Sequence, residues 1–297
     1  MSFLATLVGG VLLGGYYAMI ACGLSFMFGV MKIINLAHGC LAVVAAFALW
    51  TLADKLGLNP FLALIVVLPA MGALGWLLQR TILERSARSG ELIPILATFG
   101  LAIVIENVMF EVFGADSRSL APYVGSLSYY SISMGTGLYV GVLAILTFAV
   151  AVLLLGGLQL FLTHTHLGRA IRATAEDPET AELVGINSRS VNAAAAAIAL
   201  ATVCLAGLFL GLRTSFAPYS GSLQLIFAFE AAVIGGAGSL WGTLVGGIVL
   251  GLAQTLGARL HPQGFLLAGH AVFLIVLIGR LYISGPHLSL FRRANIG

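Results

Sequence analysis

The sequence predicts an all-α, polytopic transmembrane helical bundle. Of its 297 residues 60% are hydrophobic and only 8% charged, whereas an ordinary soluble domain carries about 25% charged residues. A soluble core could not hide so much apolar surface, so lipid is the expected solvent for most of the chain. The apolar residues fall into long runs, close to the roughly 20 residues that a bilayer-crossing helix needs. The 37 glycines fit the same class, because small residues let membrane helices approach closely.

Nine runs are expected to span, at about 4–29, 34–53, 61–79, 92–113, 137–161, 191–211, 222–236, 240–258 and 265–283, within a range of 8-10 spans. No Lys or Arg precedes Lys32, so the first run reads as a retained span and not as a signal peptide with a basic leading segment. The seventh run is short. It ends at Gly235, Gly236 and Gly238, which suits a broken or re-entrant helix. Basic residues concentrate on the cytoplasmic side of membrane proteins. With the N-terminus outside and the C-terminus cytoplasmic, Lys32, Arg80, Arg85, Arg88, Arg169, Arg172, Arg189, Arg280, Arg292 and Arg293 lie inside. Lys55, Arg118, Arg213 and Arg259 lie outside, a split of 10 against 4 among 14 basic residues. An odd span number agrees. The outer segment Gly114–Gly135 reads as an ordered loop with no catalytic set. Late in the chain, Gly207 and Gly211, Gly242 and Gly246, and Gly247 and Gly251 each have small-xxx-small spacing, which serves packing within a subunit or between subunits.

Several chemistries are excluded by absence. There is no HExxH and no GxSxG, which argues against a zinc protease or a serine hydrolase. The cysteines Cys22, Cys40 and Cys204 sit singly in apolar runs and read as buried small hydrophobes. His164 and His166 are two apart and would not share a helix face. No catalytic residues and no metal ligands are assigned. No basic cluster suggests nucleic acid. A phosphate-cradling P-loop requires Gly-Lys-Ser/Thr, but Lys32 precedes Ile33 and Lys55 precedes Leu56. No nucleotide cofactor is therefore expected in this chain.

The charged break from Thr163 to Arg189 is the most informative segment. It reads as two short helices. The first runs from Gly168 to Glu176 and carries Arg169 and Arg172. The second starts at Asp177, a side chain suited to the N-cap, with Pro178 at the first helical position. Glu179 and Glu182 follow, and Gly185 stands just past the helix end. Such a capped helix is suited to carrying motion between two spans and a cytoplasmic partner. A plain solvated connection is the other reading, and local physics leaves both open.

Three motifs in order carry a resemblance. They are Tyr17-Ala-x-Ile-Ala-x-Gly-Leu24 with Phe28-Gly-Val30 and Ile34-Asn-Leu-Ala-His-Gly39, then Gly168-Arg-Ala-x-Arg-Ala-x-Ala-Glu-Asp177 with Ala181-x-Leu-Val-Gly-Ile-Asn187. The third is Ala231-Ala-Val-Ile-Gly-Gly-Ala-Gly-Ser-Leu-Trp-Gly242. Over about residues 5–280 the chain resembles LivH-type permease subunits of branched-chain amino acid ATP-binding-cassette (ABC) importers. The resemblance implies a single transmembrane permease domain over 1–297, with a cytoplasmic coupling loop at 163–190. It also implies a multi-pass location in the bacterial inner membrane. The expected partners are a second permease, related or identical, two cytoplasmic ATPase subunits that hold ATP and magnesium, a periplasmic solute-binding protein and the lipid bilayer. Related permeases are assigned to urea and short amides as well as amino acids. Two departures stand out. Gly279-Arg-Leu-Tyr-Ile-Ser-Gly285 replaces the usual Arg-Pro-x-Gly-Leu ending, and Glu230 occupies a position expected to be small or hydroxylic.

Polar groups inside the apolar runs are the candidate path residues, since a carboxylate at membrane depth usually faces a cavity or a partner. Glu230 lies in the short seventh run and Glu106 in the fourth. Each lines the solute path or pairs with a neighbouring helix. Asn35 and His38 open the second run and either anchor it or touch solute. A stand-alone channel or ion-coupled carrier would also lack a P-loop. Carriers of that type often show inverted repeats, and no convincing repeat is present.

Overall fold

The computed structural model describes residues 3–90, 92–133 and 139–283. Among these it contains twelve α-helices. They are α1 Phe3–Met31, α2 His38–Leu56, α3 Pro60–Leu78, α4 Glu84–Ala87, α5 Ile93–Phe113, α6 Val142–His164, α7 His166–Glu176, α8 Pro178–Leu183, α9 Ser188–Arg213, α10 Gly221–Gly235, α11 Leu240–Leu260 and α12 Gly264–Ile283. A π-helical turn, Gln79–Leu83, joins α3 to α4, so Pro60–Ala87 is one continuous rod.

Seven helices among the described residues are long and apolar enough to cross a membrane: α1, α2, the Pro60–Ala87 rod, α5, α6, α9 and α11. The remaining two expected runs form shorter elements. α10 has 15 residues, about 22 Å at 1.5 Å per residue, and the glycine-rich turn after Gly235 stops it. The apolar part of α12 is Gly264–Arg280. Arg292 and Arg293, which entered the charge count, lie outside the described residues, as does the end of the segment Gly114–Gly135.

The core is built on α1 and α9. From Gly14 to Met27 every residue of α1 is buried, and most of α9 is buried too. α1 packs along α11, on α9 and against α6 and α10, while α9 also carries α2 and α3. Glycine makes the closest of these crossings possible. A methyl group on Gly251 would meet the Gly10 carbonyl oxygen at 2.3 Å, and one on Gly247 would meet the Gly14 oxygen at 2.5 Å. Gly246 lies equally close to Ala231, and Gly207 to Ala42. All three glycine pairs noted in the sequence therefore pack within this chain.

α2 begins four residues later than its hydropathy suggests. Lys32, with φ of 56°, turns the chain back, and residues 32–37 run outside any helix. The first turn of α2 then lies against the middle of α1, where His38 Nε2 is 2.8 Å from the Ile20 carbonyl. Ile20 lies 11 residues before Met31, about three helical turns. Non-helical backbone at such depth is tolerated where protein covers it, and Ile33, Asn35 and Ala37 are buried. At the opposite end of the bundle Arg118 and Phe216 bridge the α5–α6 and α9–α10 links, and Leu120 is buried beneath them.

Candidate functional site

Local caps shape the α7–α8 loop. Thr165 Oγ1 accepts from the Gly168 amide at 2.9 Å, which starts α7 two residues before the expected Gly168. A side chain on Gly168 would strike the Phe161 carbonyl oxygen at 2.3 Å, so glycine lets α7 fold tightly onto the end of α6. Asp177 caps α8 by accepting from the Glu179 and Thr180 amides at 3.0 and 3.2 Å and from the Thr180 hydroxyl at 2.5 Å. Those bonds, led by the Thr180 hydroxyl, hold its carboxyl below the usual carboxylate range. Pro178 opens the helix. Gly185, with φ of 87°, ends it by donating to the Glu182 carbonyl at 3.0 Å.

Ile171, Thr174 and Ala181 anchor the loop in the bundle, and Arg169, Arg172, Glu176 and Glu182 stay at least partly exposed. The guanidinium of Arg169 bonds to the His164 carbonyl and to His166. Arg172 lines a crevice of about 450 Å³ with Phe26, Gln159, Gly238 and Trp241. At the tip, Leu183 is 87% exposed and Val184 74% exposed. The charges of this segment dominate its sequence, and that apolar pair escapes a reading based on them. Its signal is two adjacent large hydrophobes in a polar loop.

A second polar cluster lies among the helices. Glu230 Oε1 is 2.5 Å from His270 Nδ1 on α12, and its other oxygen is buried without a hydrogen bond. The hydroxyl of Tyr17 bonds to Gln254, and that of Tyr16 donates to Gln224 Oε1 at 2.6 Å. Glu106 accepts from Cys40 at 3.3 Å and from Ser222 at 3.1 Å, tying α5 and α2 to the start of α10. Glu106 and Glu230 thus grip the two halves of α10. Asn35 is buried and accepts from the Ala37 amide, which places it in the turn before α2. Asn107, Ser222 and His270 are wholly or partly exposed along the α5–α10–α12 side, forming a polar stripe on an otherwise apolar surface. Among the described residues no three His, Cys, Asp or Glu side chains could share a metal ion.

Residues 6–283 match the family described as "branched-chain amino acid transport system / permease component". The chain belongs to this permease family. It is similar to the high-affinity branched-chain amino acid transport system permease protein BraD of Pseudomonas aeruginosa, with 32% identity and 86% of each chain covered. It is also similar to the LivH permease protein of Escherichia coli, with 31% identity and 93% of each chain covered. The fructose import permease protein FrcC of Rhizobium meliloti is 28% identical over 82% of this chain and 69% of its own. The protein is accordingly a multi-pass membrane permease component of an ABC import system, and such systems include ATPase and binding-protein components.

Proposed function

We propose that this permease carries a branched-chain or other small amino acid across the bacterial inner membrane, driven by ATP and magnesium on two separate ATPase subunits. The α7–α8 loop is the observation that carries the reading. It is rigidly capped and anchored by buried residues, yet it presents two bare hydrophobes at its tip. A solvated connection gains nothing from Leu183 and Val184, whereas apolar side chains surrounded by charge suit an interface core with a polar rim. Coupling then runs through Gly168, Arg169, Arg172, Glu176, Asp177, Pro178, Glu182 and Gly185, which shape or flank that tip within 163–190. The whole chain, 1–297, acts as one permease domain.

Placing this loop in the cytoplasm puts the N-terminus outside and the C-terminus inside. It also gives nine membrane-embedded segments, the seven long helices plus α10 and α12. The polar stripe beside α10 requires cover, because amide, hydroxyl and imidazole groups facing lipid are costly. A second permease, related or identical, supplies that cover, and the solute path runs between the two past Glu106 and Glu230. A periplasmic binding protein delivers the solute to the outer end.

The test is uptake of radiolabelled leucine by proteoliposomes holding the full complex. ATP-dependent uptake is expected, and replacing Leu183 and Val184 together by serine should abolish both ATPase binding and uptake. Leucine movement through this chain alone, without ATP, would overturn the proposal in favour of a channel or carrier.

A further inference from the structure

A cavity of about 280 Å³ opens beside the junction of α9 and α10, at the end of the bundle opposite the coupling loop. Its apolar walls include Leu13, Phe227 and Phe265, and its polar ones Tyr16, Arg213 and Gln224. Thr214, Ser215 and Ser220 add hydroxyls that can donate or accept, while Arg213 and Gln224 offer the cavity donors. Gln224 is buried and its oxygen is taken by the Tyr16 hydroxyl, which leaves its amide nitrogen, a donor, for the cavity. Arg213 is exposed, with its guanidinium 4.7 Å from the centre of the Tyr16 ring. It pairs with no carboxylate among the described residues. An aromatic face steadies a cation without neutralising it, so the charge stays available. Two donors, one of them cationic, meet here with no acceptor of matching charge. Arginine paired with carboxylate is among the strongest and most directional of polar contacts.

We infer that this cavity receives the carboxylate of the solute, with Arg213 and Gln224 as donors and Leu13, Phe227 and Phe265 around a short apolar side chain. The site selects small monocarboxylates over neutral solutes such as sugars. This deepens the proposed import of amino acids and rests on it for the identity of the solute, but the carboxylate chemistry comes from the cavity alone. Arg213 is a specificity-determining residue, and Tyr16 positions both donors.

Equilibrium binding of radiolabelled leucine to the complex of permeases and ATPases in nanodiscs, with the binding protein omitted, tests the site. Unlabelled leucine and 4-methylpentanoate should compete, because both carry the carboxylate. Leucinamide, which lacks it, should not. Arg213→Gln should weaken binding at least ~10-fold, as expected for loss of one hydrogen bond to a charged group, and Arg213→Lys should restore part of it. Unchanged binding in Arg213→Gln overturns the inference. So does equal competition by leucinamide, or absence of leucine binding in a complex that imports leucine. A wild-type complex that binds 4-methylpentanoate through Arg213 but imports no amino acid would instead refute the proposed solute and leave the carboxylate site standing.

Discussion

Asp177 holds three donors with one carboxylate, and its ionised form is the one that accepts them. Its carboxyl is depressed in the folded chain, so its contribution is present above the unfolded value of about 3.9. That contribution is lost as pH falls through the lower folded value. At neutral pH the cap is fully formed, and acidification weakens it. Replacing Asp177 by alanine should reduce ATP-coupled uptake roughly five-fold, the shift expected for a lost N-cap on a short helix, with ATPase subunits still retained in pull-downs. Glu230 and His270 make a different case. Glu230 is buried while His270 is partly exposed, so losing His270 leaves a buried carboxylate without its partner. His270→Ala should therefore lower thermal stability more than Glu230→Gln, and Glu230→Gln should slow uptake in an assembled complex. Equal loss of melting temperature in both variants would count against the pair. Asp177, Pro178 and Gly185 were legible in the sequence because caps and turns are decided by neighbours. The Tyr16–Gln224 bond joins residues 208 apart, and no local signal announces it.

Helix crossings set the tolerance of each element. A methyl group on Gly251 would meet the backbone of α1 at 2.3 Å, whereas one on Gly9 or Gly100 would find no neighbour within 4 Å. Gly251→Ala should cost about 1–3 kcal/mol by overpacking, seen as a lower unfolding midpoint in detergent. Gly9→Ala and Gly100→Ala should sit within about 0.5 kcal/mol of the parent. The apolar runs announced nine of the twelve described helices, because burial in lipid imposes a length and a composition. Helix ends were harder to read. Hydropathy extends unbroken through Ile33 and Ile34, while the turn at Lys32 and the Asn35–Ala37 bond delay α2 to His38. Gln79 and Arg80 marked the end of the third run as polar, yet the π turn carries the helix through them to Ala87.

The placement of the whole molecule in the bilayer rests on the distribution of arginine and lysine. Cys22, Cys40 and Cys204 are buried, so a membrane-impermeant thiol reagent has little background to overcome. Ser126→Cys, on the α5–α6 link, should react from the periplasmic side of intact cells. Thr180→Cys, on α8, should react only after the inner membrane is opened. The opposite pattern would invert the topology. The helical architecture, the caps of the α7–α8 loop and the two carboxylates were visible in the sequence. The arrangement of Asn107, Ser222 and His270 along one side was not, because it depends on how α5, α10 and α12 assemble. That stripe has a consequence for biosynthesis. A copy inserted without the proposed second permease would leave these groups against hydrocarbon, where polar side chains are costly. On the proposed pairing, the amount of this permease in a cell is limited by the supply of the subunit that covers it, and the two should be made in step.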